Sequence, residues 1–366
     1  MPGGADIGLP ARLAGLPLLE LLGWLALALF LVLGFLLAMA LAVQVRSDRI
    51  RARRLACHAR WEGEMAAYLY LGRDADTFQQ LDARDRALFR HFLQRALLSI
   101  GGEDANRIRE LASRLDLHDD LARRLAALGA ASRARAALEV GLFQRWEHLD
   151  RVEALLKDPA PSVAFAAART LARSGDLSHA APVLAWVLGQ EKVQQERLLR
   201  VLMGFGPGLL PWMEARLGAP PQPREGWRLY GLLVATFRDL ASGPRMRELL
   251  ASGDLELTAT ALKALRALGD PSAYGAVAPF ATHPEWVLRA QTALGLGTLG
   301  GLQALPALQQ LMEDRVFEVR RNAAQSIAEL GSAGEEVLRW IALGQEADPF
   351  ARDLARERVQ WLEAAP

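Results

Sequence analysis

LTATALKALRALG at residues 257–269, LRAQTALGLGTLG at 288–300 and VRRNAAQSIAELG at 319–331 decide how this chain folds. Their closing glycines, Gly269, Gly300 and Gly331, stand 31 residues apart. Each segment spaces small and apolar residues with a helical period and stops on glycine, the residue that leaves a helix at least steric cost. VAFAAARTLARSG at 163–175 has the same form, and Gly206 lies 31 residues beyond Gly175. An apolar pair and a short turn introduce each copy: Leu155-Leu156 before Asp158-Pro159, Leu249-Leu250 before Gly253-Asp254, and Leu311-Met312 before Asp314. His283-Pro284 fills the equivalent turn of the copy at 288–300. A period of this length holds two helices of about 12 residues and two turns. One such pair cannot bury its own apolar face, so successive pairs must stack. The expected fold is all-α, with a right-handed α-solenoid running from about Arg151 to the end of the chain. GAPPQPREG at 218–226 reads as a surface loop inserted into a degenerate copy around Trp227–Leu240 that has lost its glycine. Asp348–Leu362, charged on most faces, reads as a terminal cap.

Upstream of the clear period, residues 61–150 read as a helical N-terminal part of the same solenoid. Trp61, Met65, Tyr68 and Leu69 recur at helical spacing within Trp61–Leu71. Asp82–Ile100 places Leu88, Phe92, Leu93, Leu97 and Ile100 on one side, and Gly101-Gly102 ends it. Asp104–Leu115, Asp119–Leu128 and Ser132–Arg145 follow, with Ser132 as an N-cap. Further upstream, Leu21–Val43 reads LLGWLALALFLVLGFLLAMALAV, without a charge or a proline. At ~1.5 Å of rise per residue it is long enough to cross a hydrocarbon core of about 30 Å. A helix that is apolar all round does not suit the surface of a soluble domain. The expected organisation is therefore a tail at 1–17, a single transmembrane helix at 18–45 and a basic juxtamembrane segment at 46–60. Arg46, Arg49, Arg51, Arg53 and Arg54 follow the span, whereas Arg12 alone precedes it. That asymmetry predicts the N-terminus outside and the bulk of the chain in the cytoplasm. A cleaved secretory signal fits less well, because the apolar run is too long and the charge lies on the wrong side. The same arginines are candidates for contact with anionic lipid headgroups, at about 1 kcal/mol each near the surface.

Composition narrows the function further. The formal net charge of the 366 residues is +1, so no global field draws in nucleic acid. Lysine occurs only at Lys157, Lys192 and Lys263, and nearly all positive charge is arginine. Cys57 alone excludes an intramolecular disulfide and a cysteine-based zinc site. The six histidines, His58, His91, His118, His148, His179 and His283, are scattered and never stand three or four residues apart. Helical metal sites need ligands on one face, so no metal is expected. The chain has no Gly-x-Ser-x-Gly and no phosphate-binding Gly-x-x-x-x-Gly-Lys-Ser/Thr loop. The glycines at 295, 297, 300 and 301 lie in a helix-period segment and read as close packing. No catalytic residue and no cofactor are expected.

The repeats resemble HEAT repeats of the short bacterial type also found in phycobilisome lyases. The resemblance rests on the Asp158-Pro159 turn, the Val319-Arg320 helix start, the runs Ala166–Ala168 and Ala323-Ala324, and the Leu-Gly ends at Leu299-Gly300 and Leu330-Gly331. It implies a ladder of turn aspartates and second-helix arginines, assigned here to Asp314 with Arg320 and also Arg289, while Ala164 and Thr258 interrupt it. It further implies a non-catalytic scaffold. The expected partner is another protein of the cell inner membrane or of envelope assembly, held on the solenoid's concave cytoplasmic face. Trp286, Arg289, Arg320 and Arg321 are the candidate partner-binding residues, Trp286 because tryptophan is enriched at binding hot spots. The alternative is an enzyme of the bilin-lyase kind. A nucleic-acid-binding solenoid comes third, since acids such as Glu318, Asp353 and Glu357 accompany the local arginine clusters.

Overall fold

The computed structural model describes residues 18–79, 81–218, 220, 223–344 and 348–364. Its helices fall into two compact units, Met1–Asp119 and Asp120–Pro366. Among the described residues there are α-helices and short 3-10 turns and no strands. The expected outer tail at 1–17 lies outside the described residues.

The first unit is built on α1 (Leu18–Tyr70), followed by α2 (Asp76–Gln79), α3 (Ala83–Ser99) and α4 (Gly102–Arg114). α1 is one helix of 53 residues, about 80 Å long at 1.5 Å per residue. It carries the apolar stretch, the arginines and the segment around Trp61 without a break, so Trp61–Leu71 is not a helix of its own. Leu22–Asp48 is long and apolar enough to cross a membrane, and none of its most apolar window is buried in protein. The far end of α1 buries Trp61, Met65, Tyr68 and Leu69, as their spacing predicts. Their partners are aromatic. The Phe89 ring lies edge-on to Trp61 at 5.1 Å and stacks on Phe78 at 5.0 Å. Phe89, rather than Leu88, is thus the residue α3 sends inward. Asp82 caps α3 by accepting from the Asp85 N–H at 2.7 Å. Arg107 of α4 donates to the carbonyls of Tyr68, at 2.8 Å, and Leu69, satisfying acceptors that the end of α1 would otherwise leave open.

The second unit is a series of helix pairs: α5 (Leu121–Leu125) with α6 (Ala130–Phe143), α7 (Leu149–Ala154) with α8 (Pro161–Ser174), and α9 (Ala180–Leu188) with α10 (Lys192–Leu202). Then come α11 (Leu209–Leu217) with α12 (Arg224–Phe237), α13 (Gly243–Leu250) with α14 (Leu255–Leu268), and α15 (Tyr274–Val277) with α16 (Trp286–Gly300). The last are α17 (Leu305–Met312) with α18 (Phe317–Ala328) and α19 (Ser332–Leu343) with α20 (Pro349–Ala364). The second member of every pair packs against the second member of the next, from α6 through to α20. This is an α-solenoid, and one continuous apolar core runs through it.

Each second helix through α18 is followed by one residue with a left-handed backbone. In order these are Gln144, Gly175, Gly206, Arg238, Gly269, Gly301 and Gly331. The regular glycine missing near 238 is therefore replaced by an arginine at φ 54°, and Gln144 adopts φ 56°. Both are conformations that cost a side chain energy and that glycine takes freely. Near 300 the left-handed residue is Gly301, because α16 runs one residue further than the LG pattern suggests. Ser132 lies inside the first turn of α6, and Gly129 takes the N-cap. In the proline-rich segment α12 already begins at Arg224, so the described part of the connection is Gly218, Pro220 and Pro223.

Close approach is what stacks the second helices. A Cβ on Gly231 would stand 2.7 Å from Thr260 Cγ2, and one on Gly297 would stand 3.1 Å from the Ser326 carbonyl. The tightest site joins α18 to α19, where a Cβ on Gly334 would meet the Ile327 carbonyl oxygen at 1.8 Å. Gly275, in α15, has nothing within 4 Å of the same position. Gly334→Ala is therefore expected to destabilise the protein by about 1–3 kcal/mol through overpacking. Gly275→Ala is expected to stabilise it by about 0.5–1 kcal/mol through helix propensity. Thermal unfolding of the two variants beside the unsubstituted protein checks the opposite signs.

Candidate functional site

The arginine ladder comes first, because it decides which residues are free to meet a partner. Arg133 of α6 grips Asp158 in the turn before α8, with Nε to Oδ2 at 2.7 Å and Nη2 to Oδ1 at 2.9 Å. Its Nη1 donates to the carbonyls of Ala127 and Leu128, both at 2.8 Å. Asp158 Oδ1 also accepts from the Ala160 N–H at 2.9 Å. Arg289 of α16 repeats every element of this arrangement with Asp314. Nε to Oδ2 is 2.6 Å, Nη2 to Oδ1 is 3.0 Å, and Nη1 donates to the His283 and Pro284 carbonyls at 2.8 Å. The Val316 N–H donates to Asp314 Oδ1 at 2.8 Å. Each rung thus joins one repeat to the next, across 25 residues, through a bidentate guanidinium–carboxylate pair.

This corrects the pairing expected from sequence. The Asp314 carboxylate belongs to Arg289, and Arg320 instead donates from Nη1 to the Asp314 backbone carbonyl at 2.7 Å. The Arg320 guanidinium lies 4.8 Å from the Phe350 ring centre and 5.9 Å from that of Phe317, within cation–π range. Arg289 and Arg320 are 7% and 8% exposed, so both are occupied inside the fold and neither presents a charge to a partner. Arg133, the other complete rung, was overlooked in the sequence. Its signal was the Asp-Pro turn 25 residues downstream.

The intervening repeats hold the same positions by other means. Ala164 and Thr258 interrupt the ladder as expected. At the next such position Gln195 donates from Nε2 to the carbonyls of Leu188, at 3.3 Å, and Gln190, at 3.0 Å. Its Oε1 accepts from Arg228, at 2.6 Å. Arg228 is almost wholly buried and also donates to Glu225 at 2.7 Å. In the turns, Ser252 Oγ and His283 Nδ1 stand in for the aspartate, accepting from the N–H two residues on.

The remaining candidates face solvent. Trp286 is the first residue of α16 and 43% exposed, and Arg321 is exposed on α18. Arg46 is exposed on α1, while the side chains of Arg49, Arg51, Arg53 and Arg54 lie outside the described residues. His179 pairs with Glu153, and His58 sits edge-on to Phe92 at 5.3 Å. Among the described residues no three His, Cys, Asp or Glu side chains converge as metal ligands. The first unit contains an open cavity of about 320 Å³ between α1 and α3, lined by His58, Glu62, Met65, Tyr70, Phe92 and Arg95 among others.

The rungs carry a pH signature. Hydrogen bonds from Arg133 hold the Asp158 carboxyl below its ordinary value, against the pull of burial. At Asp314 burial pushes upward, but the bonds from Arg289 and Val316 and the nearby arginine charges outweigh it, and the net direction is down. A carboxyl held lower in the folded state stabilises the fold fully above its unfolded value, about 3.9 for aspartate. That contribution is lost as pH falls through the folded value. Asp314→Asn should therefore cost about 2 kcal/mol at neutral pH, as charged hydrogen bonds do. The gap to the unsubstituted protein should stay level down to about pH 5 and close below about pH 4. Urea denaturation of both proteins across that range measures it.

A family model described as HEAT repeats matches residues 243–328 and, overlapping, 275–358. No curated protein matches the chain. Among solved structures, the CpcE–CpcF complex of phycocyanin lyase from Nostoc is similar at 16% identity and TM-score 0.28, over 67% of this chain and 87% of that one. Two engineered proteins are similar at 15% identity each. One has TM-score 0.36 over 80% of this chain and 94% of its own, the other 0.23 over 67% and 96%. The matched segment spans α13 to α20, which includes the Arg289–Asp314 rung and its Asp314 turn, and residues 243–358 are HEAT repeats.

Proposed function

We propose that this protein is a membrane-tethered scaffold whose repeat array holds a protein partner on the cytoplasmic face of the cell inner membrane. The observation that carries the tether is the state of α1. Leu22–Asp48 is apolar all round and unburied by any other part of the fold. Leaving so many large apolar side chains in water costs about 25 cal/mol for every Å² exposed, which a bilayer removes. The arginines that follow the stretch argue for a cytoplasmic array, and Arg46 is placed to meet anionic headgroups.

The scaffold reading rests on what the array is made of. Stacked helix pairs create a long surface from short local units, which suits recognition of another protein. The ionic groups resolved in the ladder are tied up in holding repeats together. Trp286 and Arg321 are the candidates left free for a partner. A partner in the same membrane gains effective concentration from the tether without any new contact.

Two measurements test this. Protease added to sealed spheroplasts should leave the array intact and digest it only after lysis. Digestion from outside would overturn the cytoplasmic placement. Crosslinking in cells followed by mass spectrometry should recover a membrane-associated protein through the array. Recovery should survive replacement of residues 18–48 by an unrelated transmembrane helix and fall with Trp286→Ala and Arg321→Ala together. If recovery instead follows the native α1 sequence, α1 and not the array is the binding element.

A further inference from the structure

The first residues of successive second helices line one edge of the array. In α14, α16 and α18 they are Leu255, Trp286 and Phe317, and in α20 the second residue is Phe350. All four are large, apolar and 43–62% exposed. Their helices pack side by side, so the side chains follow one another at about the 8–10 Å that separates packed helices. Arg320, between the rings of Phe317 and Phe350, ties the last two members together. The apolar ridge therefore runs across four repeats at a near-constant step.

The other end of the same helix row differs in chemistry. α8 exposes Arg169 and Arg173 one turn apart, and α10 exposes Arg197 and Arg200. α8 packs against α10, and Arg169 and Arg200 occupy equivalent positions 31 residues apart. None of these four side chains makes an ion pair or hydrogen bond among the described residues, unlike Arg133, Arg224, Arg228, Arg245 and Arg289. The exposed acid among them, Glu196, approaches Arg228 at 3.6 Å. Phe165, exposed on α8, precedes Arg169 by one turn. By contrast, Glu285 and Glu318 flank the apolar ridge. The row is polarised: uncompensated positive charge on α8 and α10, apolar anchors on α14 to α20.

We infer that this row is the docking surface for one segment of a partner protein, with an acidic block over α8 and α10 and apolar side chains about 10 Å apart over α14 to α20. The inference rests on the scaffold reading and names the surface and the chemistry of its partner. Charge complementarity selects the acidic block. The step of the ridge selects the anchors: side chains recur at about 9–10 Å every third residue of a polyproline-II segment. Two helix steps separate α10 from α14, about 18 Å, so roughly six extended residues join the acidic block to the first anchor.

Selection of random displayed peptides of about 20 residues, enough to span both blocks at about 3.1 Å per residue, against the full-length protein in nanodiscs tests this. Enriched sequences should carry an acidic block and, apart from it, spaced apolar residues. A labelled enriched peptide should then be titrated by fluorescence anisotropy. Trp286→Ala with Phe317→Ala should weaken it about tenfold or more at any salt, as loss of hot-spot anchors does. Arg169→Glu with Arg200→Glu should weaken it similarly at about 50 mM salt and much less at about 500 mM, because exposed charges are screened. All four positions are exposed, and unchanged circular dichroism and melting confirm that both variants fold. Enrichment of peptides without an acidic block overturns the inference. So does binding that neither variant alters, or equal displacement by duplex DNA or by anionic vesicles. If the crosslinked partner of the array is kept by both variants, the scaffold reading stands and this surface falls. If peptides bind as expected and no protein crosslinks to the array in cells, the scaffold reading is the one that fails.

Discussion

The second helices stand so close that a side chain on one reaches the backbone of the one before it. Thr170 Oγ1 donates to the Ala137 carbonyl at 2.8 Å, Ser326 Oγ to that of Ala293 at 2.7 Å, and Asn322 Nδ2 to that of Ala290 at 3.0 Å. Such contacts need small residues at the crossing. Gly141 faces Thr170, Gly231 faces Thr260 and Gly297 faces Ser326, each pair 29 residues apart. The glycines that look like a phosphate cradle in sequence therefore serve this approach. A buried hydroxyl also needs an acceptor, and the neighbouring helix backbone supplies it at no cost in fit. Every other feature of the array is arranged around this spacing. The arginine rungs clamp the turns at the right distance, and the apolar core fills what remains between the two helix rows.

The period was legible because the helix ends are written in glycine. It was legible only where glycine is used. At Gln144 and Arg238 the chain takes the same left-handed turn with an ordinary side chain, so those repeat boundaries leave no mark in sequence. The rung was misassigned for a geometric reason. Asp314 lies six residues before Arg320 and 25 after Arg289, and nothing in one chain says whether the contact stays within a repeat or crosses to the next. In the fold the six-residue spacing serves a backbone carbonyl and the 25-residue spacing serves the carboxylate. Burial then removes Arg289 and Arg320 from the surface that their charge suggested. Trp286 was placed correctly as an exposed residue beside a turn, because the first position of a second helix has no neighbour in front of it.

In the middle of the array the ladder changes chemistry without losing register. A buried arginine must be paired on all sides. Arg228 meets this through Gln195 and Glu225, while Gln195 takes over the carbonyls that Arg133 and Arg289 hold elsewhere. The spacing of the left-handed turns lengthens by one residue between Gly206 and Arg238, at the copy that follows the proline-rich connection. An extra residue at that point shifts the helix start, and a ladder built on one fixed distance would break there. A network of longer side chains with several partners tolerates the shift.

The first position of the second helix separates what the fold requires from what it permits. From α8 onward it reads Pro161, Lys192, Arg224, Leu255, Trp286, Phe317 and Pro349. A structural demand would repeat with the repeat, as the small residues at the helix crossing do. Instead the position moves from charged to apolar along the array, and where it is apolar it remains open to solvent. Solenoid cores do not need it, since the residues that fill them lie on the opposite side of the same helices. Large apolar side chains kept in water over consecutive repeats cost stability and return none within the chain. Their energetic justification has to come from something that covers them.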